Sequence, residues 1–152
     1  MKPNTAFMAF EPSGKTSCLG LFDENCPKYF APNERNDYES FLDENPIGYE
    51  LCTLDDNVVG AYGLSEGSLN WILLSPQVQG IGLGSIIMTR VLERAIEEKL
   101  ACIDIAASHL SEGFFARYGA VKISEIDDGW GPGMHRVDME LITAEVTLPL
   151  AD

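Results

Sequence analysis

The stretch QGIGLG, Gln79 to Gly84, sets three glycines at alternate positions, and its flanks say what such a loop is for. Upstream, LNWILL (69–74) is an apolar run of strand length closed by Ser75-Pro76. Downstream, apolar residues recur at 83, 86, 87, 91 and 95. Polar residues fill 85, 89, 90, 93, 94, 97 and 98, which is the pattern of an amphipathic helix. Strand, glycine loop and helix in that order make an anion site. The first helical turn carries unpaired N–H groups and the positive end of the dipole, and glycines let a ligand reach the backbone.

Outward from this centre, short periodic segments fill the chain. AFMAF (6–10) reads as a strand, and 15–25 and 33–43 read as helices, with Tyr38, Phe41 and Leu42 at helical spacing in the second. YELCTL (49–54), Asp55-Asp56-Asn57 and VVGAYGL (58–64) form a hairpin pattern of apolar strands around turn-forming residues. After the central strand, loop and helix come IDIAAS (103–108) as a strand and FFARYG (114–119) as a short helix ended by glycine. VKISEI (121–126) and HRVDMELI (135–142) are the last strands, with GWGPG read as a loop before His135. The order β-α-α-β-β-β-α-β-α-β-β predicts an α/β protein with a mixed sheet, one domain over 1–152. The tail after Thr143 carries no signal.

A length of 152 residues with 45% hydrophobic content suits one domain with a full core. No basic-then-apolar leader and no apolar run of membrane-span length is present. Cys18, Cys26, Cys52 and Cys102 lack the spacing of a zinc or redox site, so reduced, mostly buried thiols in a cytoplasm are expected, with no metal. The formal charge of −14 argues against a nucleic-acid partner, since that binding rests on Lys and Arg. It favours a cationic small molecule or basic peptide, although acidity also serves solubility alone. Residues 1–56 concentrate it, with eleven acids against four bases.

Three phosphate-binding readings of the glycines compete. A dinucleotide fingerprint needs a third glycine or alanine where this chain has Ser85 (counting from Gly80) or Ile87 (counting from Gly82). A hairpin rather than a crossover precedes the loop, so that reading fails. A P-loop is nearly matched at SGKT (13–16), but Ala9 stands where the first glycine belongs. Phe10 and Glu11 would crowd the loop, and Glu11 would face a triphosphate. The plainer account is a turn in which Ser13 or Thr16 caps a helix.

The third reading is acyl-coenzyme A. Gln79-Gly80-Ile81-Gly82-Leu83-Gly84 resembles the Q/R-x-x-G-x-G/A signature of the GNAT acetyltransferase superfamily, and LLSPQVQGIGLG resembles the longer run around it. About thirty residues later, Ser108-x-x-Ser111-x-x-Phe114-Phe115-Ala116-Arg117-Tyr118-Gly119-Ala120 is similar to the family's second segment. HRVDMEL is similar to its last strand. The likeness spans about 69–141.

That resemblance implies a GNAT-like acyl-CoA N-acyltransferase fold in which the strands at 69–74 and 103–108 splay at their C-terminal ends. The pantetheine arm is then expected in the gap, bonded to the main chain near Leu74 like an added strand. The pyrophosphate is expected on the amides from Gln79 through Gly80, Ile81, Gly82, Leu83 and Gly84 to Ser85, a backbone cradle that needs no lysine. Ordinary turn geometry is the alternative account of the glycines. Ser108 stands where the family has an asparagine for the pantetheine. Phe115 stands where it often has a tyrosine that protonates the leaving thiolate. Arg117 is a candidate for the ribose phosphate, against a plain solvated charge.

A thiol of pKa about 8.5 leaves tolerably without an acid, and Tyr118, one turn on, is a substitute candidate against a packed aromatic. The attacking amine, titrating near 10.4, needs a base. Glu66, in the turn SEGS, and His135 are candidates, each with a plain loop role as the alternative; His109 reads as a helix-cap neighbour. The resemblance thus implies an acetyl-CoA-dependent N-acetyltransferase working by direct attack of an amine on the thioester. A CoA-binding regulatory module of the same fold, with Phe115 as the trace of lost catalysis, is the alternative. Asp23, Glu24, Glu34, Asp37, Glu39, Asp43 and Glu44, interleaved with Phe22, Tyr29, Phe30 and Tyr38, are expected to wall the acceptor side. They suit a cationic small-molecule or peptide amine, unless the acids face solvent and the aromatics the core. A homodimer is left open.

Overall fold

A computed structural model of the chain describes residues 4–78, 80–146 and 148; the expected phosphate-loop residue Gln79 lies outside them. The elements are β1 (Thr5–Ala9), α1 (Lys15–Asn25), α2 (Glu34–Asp43), β2 (Tyr49–Leu54), β3 (Asn57–Ser65) and β4 (Ser68–Leu74). They continue with α3 (Leu83–Glu97), β5 (Cys102–Ser108), α4 (Glu112–Arg117), β6 (Val121–Gly131) and β7 (Met134–Ile142). This is the expected mixed α/β order.

One seven-stranded sheet has the order β1-β2-β3-β4-β5-β7-β6. Every neighbouring pair is antiparallel except β4 and β5. A parallel neighbour demands a crossover, and α3 provides it. The helices divide between the two faces of the sheet. Cys18, Leu21, Phe22, Tyr38 and Leu42 of α1 and α2 pack with Tyr49, Leu51, Ala61 and Leu73. Ile87, Met88, Val91 and Leu92 of α3, with Phe115 of α4, pack with Val59, Leu64, Ile103 and Val137.

Some boundaries differ from the sequence reading. The short helix starts at Glu112 rather than 114, because Ser108 and Ser111 build the turn that launches it. The Ser108 hydroxyl accepts the Leu110 and Ser111 N–H groups at 3.2 Å each. GWGPG is not a loop. Gly129, Trp130 and Gly131 extend β6, and Pro132-Gly133 alone turn into β7. The period of the apolar residues could not show this, since all of Val121 to Gly129 is exposed. The nearly matched P-loop is a turn, as its plainer account holds, yet neither Ser13 nor Thr16 caps α1. Gly14 is the N-cap residue, without a side-chain bond. Lys15 meets Glu39 at 2.9 Å and Asp43 at 2.7 Å, tying α1 to α2. All four cysteines are free, with Cys18 and Cys52 buried.

A polar clamp fixes α3 on the sheet. Glu50 of β2 receives Arg90 through Nε and a terminal nitrogen, both at 3.0 Å, and accepts the Tyr62 hydroxyl. Arg94 donates to the Gly48 carbonyl at 3.0 Å and to Tyr62 at 3.1 Å. Burial pushes the Glu50 carboxyl up, but the bidentate Arg90 and the Tyr62 hydroxyl outweigh it and hold it below its usual range. A depressed carboxylate adds stability that is complete above its unfolded value near 4.5 and lost as pH falls through the folded one. Glu50→Gln is therefore expected to destabilise the fold by about 2 kcal/mol at pH 7, since it strands two guanidinium groups. Urea titrations at pH 7 and pH 3 should show the deficit shrinking in acid; an equal deficit at both would place the effect in packing.

Candidate active site

β4 and β5 pair only at Ser68 with Asp104 and Leu69 with Ile105, and then part. Three features hold them apart. First, β4 is bulged: Gly63 of β3 faces Asn70 and Ala61 faces Leu73, so Trp71 and Ile72 share the single partner Tyr62. Trp71 takes a left-handed φ of 45°, a costly conformation for a bulky residue, and its carbonyl accepts the Tyr49 hydroxyl at 2.6 Å. Second, α1 clamps the far end of β4. The Asn25 amide donates to the Leu74 carbonyl at 3.0 Å, and the Ser75 hydroxyl donates to Glu24 at 2.8 Å. Third, the Trp130 indole N–H donates to the Ala107 carbonyl of β5 at 2.8 Å, and the Asn33 amide donates to the Trp130 carbonyl at 2.9 Å.

The parted strands open a cavity of about 710 Å³. Leu69 to Pro76 form one wall and Ile105 to Ser108 the other. Phe114, Phe115 and Arg117 lie at one margin; Asn25, Tyr29, Phe30, Glu34 and Trp130 cover the rest. No helix among the described residues is long and apolar enough to cross a membrane.

Beside the cavity lies the start of α3. Gly82 is its N-cap residue, with φ 69° and ψ 41° and no side-chain cap bond, and Gly80 has φ 80°. A Cβ at either would meet nothing within 4 Å, so their need for glycine is the left-handed backbone alone. Gly84 has a different reason. A Cβ there would lie 2.7 Å from Phe114, so this glycine lets α3 and α4 approach. The first helical bond runs from Ile86 N–H to the Gly82 carbonyl, which leaves the earlier amides of the turn open to an anion. Ile81 is half-buried and Leu83 buried beneath the loop. The Ser85 hydroxyl is 3.0 Å from that of Tyr118.

The structure brings Leu74, Ser108, Phe115 and Arg117 together on the cavity, but not the three candidates for acid–base work. Tyr118 packs edge-on against Phe114 and bonds Ser85, on the α3-facing side of α4, and does not line the cavity. Glu66 is exposed in the β3–β4 turn, at the opposite end of β4 from Leu74. His135 accepts the Asp128 N–H on Nδ1 at 3.0 Å and packs tilted against His109, with ring centroids 4.6 Å apart, outside the cavity lining.

The acidic wall is also redistributed. Asp23 pairs with Arg35 at 2.8 Å, Glu39 and Asp43 pair with Lys15, and Glu24 accepts from Ser75. Phe22 and Tyr38 are core residues. Among the seven acids, Glu34 alone lines the cavity, with Tyr29 and Phe30 beside it. A trio of Cys102, Asp104 and Glu140, with ligand atoms within 4.8 Å of one another, sits on β5 and β7 outside the cavity lining.

Glu34 is only 5% exposed. Its Oε2 accepts the Ala31 N–H at 2.8 Å, a back-bond across the start of α2, and no other partner for this carboxyl occurs among the described residues. Burial pushes its pKa up to about 7, the Ala31 bond opposes this, and Asp37 adds to it. The sequence placed Glu34 in an acidic surface; only its burial sets it apart. A carboxyl raised from 4.5 to about 7 favours the folded state fully below 4.5, and that advantage is lost as pH rises through 7. Glu34→Gln, which keeps the Ala31 bond, is expected to stabilise the protein by about 1–3 kcal/mol at pH 8 and hardly at pH 4. Paired urea titrations read the difference; no gain at pH 8 would mean that the carboxylate is fully compensated in place.

Residues 10–120 match the model of the acetyltransferase (GNAT) family. No curated protein sequence matches significantly. Among solved structures, a GNAT-family protein from Desulfovibrio desulfuricans is 21% identical, with a TM-score of 0.72 over 91% of this chain and 99% of its own. YncA from Salmonella typhimurium, solved with its cofactor acetyl-CoA, is 11% identical, with a TM-score of 0.69 over 98% and 99%. A chimeric spermidine N-acetyltransferase from Vibrio cholerae is 15% identical, with a TM-score of 0.72 over 93% and 96%. The family match covers most of the chain, and these neighbours share its fold. The chain belongs to the acetyltransferase (GNAT) family.

Proposed function

We propose that the protein is an acetyl-CoA-dependent N-acetyltransferase that acylates an amine by direct attack on the thioester. The observation that carries this reading is the parting of β4 and β5 beside an uncapped helix start. A strand edge freed beyond Leu69 offers main-chain donors and acceptors to an amide-bearing arm. The amides of Gly82 to Ser85, at the positive end of α3, suit a pyrophosphate. The residues therefore fit the coenzyme. Leu74 and Ser108 would flank the arm, Gly80, Ile81, Gly82, Leu83, Gly84 and Ser85 would hold the phosphates together with Gln79, and Arg117 would stand at the margin. The Ser108 hydroxyl is engaged with the α4 turn, so its share is positional. The Salmonella neighbour, with acetyl-CoA as its cofactor, supports the choice of coenzyme.

Acetyl-CoA supplies an acyl thioester when bound. The chain's part is to hold the amine, exclude water and manage two protons. An ammonium must lose one proton before its nitrogen attacks. As the carbon–nitrogen bond forms and the carbon–sulfur bond breaks, nitrogen gives up a second proton, which the departing sulfur takes. Phe115, buried against the cavity, cannot donate, and a thiol of pKa about 8.5 leaves without such help. The seven strands form one sheet, which supports reading 1–152 as one catalytic domain. Four free cysteines suit a reducing cytoplasm.

Incubation with acetyl-CoA and an amine panel, read by mass spectrometry, is expected to yield a product heavier by one acetyl group together with free thiol. Coenzyme binding without turnover of any amine would favour a regulatory module instead. Gly82→Val forces a β-branched residue into a left-handed conformation, at about 1–2 kcal/mol. The variant is expected to keep its far-ultraviolet spectrum and to bind coenzyme A roughly tenfold or more weakly. Unchanged affinity in a folded variant would remove the helix start from the site.

A further inference from the structure

Glu34, Tyr29, Phe30, Trp71 and Trp130 line the same cavity as the parted strands, and together they specify the acceptor. From these placements we propose that the acceptor is a monoamine carried on a flat apolar body, its ammonium received by Glu34 and its body held among these aromatic rings. The proposal rests on the N-acetyltransferase reading and refines it.

Among the described residues Glu34 is the only acid lining the cavity, and the one hydrogen bond of its carboxyl uses Oε2, which leaves Oε1 for a ligand. Two of the rings pack on each other and a third is held separately. Phe30 stacks on Trp71 with centroids 6.2 Å apart and planes at 20°. Trp71 is pinned in turn by Tyr38 at 4.9 Å and Phe41 at 6.1 Å. Trp130 is fixed by its bond to Ala107 and by Arg136, 5.0 Å from its ring on β7. Rings held this firmly present faces to a flat body without an ordering penalty, and their electron-rich faces favour a cation close by.

Charge and polarity disfavour the other common amines. A polyamine brings further cations, whereas the cavity supplies one carboxylate and one opposing charge, Arg117. An amino acid would bring a carboxylate whose one counter-charge on the described lining is Arg117, the candidate for the coenzyme's ribose phosphate. A peptide would bring amide groups that a mainly apolar lining leaves unpaired.

Glu34 also answers the need for a proton acceptor. Its ionised form pairs with the ammonium and takes one proton. The neutral nitrogen then attacks, and the acid formed at Glu34 returns its proton to solvent after product leaves. The groups around it are Asp37 on its own helix, Cys26 after α1, Tyr29 in the α1–α2 connection and Arg117 across the cavity. With its carboxyl raised to about 7, the ionised form grows in through neutrality while an alkylammonium is still protonated.

The test compares 2-phenylethylamine and tryptamine with spermidine and a lysine-containing peptide, each with acetyl-CoA, from pH 5.5 to 9. The aromatic amines are expected to be preferred in kcat/KM by roughly tenfold or more, with a rise through about pH 7. Glu34→Gln is expected to lower kcat/KM by roughly a hundredfold or more and to abolish that rise, and Glu34→Asp to restore part of it. Coenzyme A affinity, measured alongside, is expected to stay unchanged in both variants, which separates loss of the acceptor site from loss of the fold. Preference for spermidine or the peptide, or Glu34→Gln with wild-type kcat/KM and pH profile, would overturn the proposal while leaving N-acetyl transfer intact. Absence of acetylated product with every amine would overturn the N-acetyltransferase reading and this proposal with it.

Discussion

Everything at the centre of this protein follows from two parallel strands that stop pairing after two residues each. Parallel strands are ordinarily paired along their length, since unpaired main-chain groups in an apolar setting are expensive. Here the parting is enforced from both sides. The bulge at Trp71 and Ile72 rotates β4 against β3, and Asn25 and Glu24 of α1 hold its far end through Leu74 and Ser75. On the other side, Trp130 takes up the Ala107 carbonyl of β5. Each device satisfies main-chain groups that a closed sheet would have used. The remaining groups on the inner edges are the ones a ligand can pair.

The clamp of Glu50, Arg90 and Arg94 belongs to the same design. It secures α3 against β2, so that the helix start stays beside the open end of the gap. The strand that is parted from its neighbour is thus backed by a helix that cannot follow it. Gly84 serves the same end from another direction, since its missing side chain lets Phe114 of α4 close on the first turn of α3. Of three glycines with one apparent purpose, two provide backbone conformation and the third provides packing.

The order of elements and the position of the glycine loop were legible in the sequence because both depend on local pattern. The amphipathic period from Leu83, the turn residues at Asp55 to Asn57 and the run 69–74 need no tertiary knowledge. The far end of β6 was not legible, because a strand exposed along most of its length shows no alternation. Nor was Trp130 as a wall of the cavity, since its place depends on a hydrogen bond to a residue 23 positions earlier. The candidates for proton handling were the hardest to place. Glu66 lies at the wrong end of β4, whereas His135 lies at the cavity end of β7 but turns its ring to Asp128 and His109. Glu34, one acid in a run of seven, is distinguished only by burial, which a helical period without a strong apolar stripe does not reveal.

An acidic surface and a buried acid therefore do different work in this chain. The exposed carboxylates of α1 and α2 are largely occupied with Lys15 and Arg35, pairs worth little individually and screened by salt. Glu34 is held where ionisation is unfavourable, and a fold selected for stability alone would place an apolar residue or an amide there. A penalty retained inside a cavity is what the proposed role of Glu34 as proton acceptor would account for. Phe115, which has no proton to give, is consistent with this division. In the proposed N-acetyl transfer, a phenylalanine at 115 supplies no proton to the departing sulfur, so both protons would originate on the amine nitrogen and a single well-placed acceptor is the least such a cavity needs to contain.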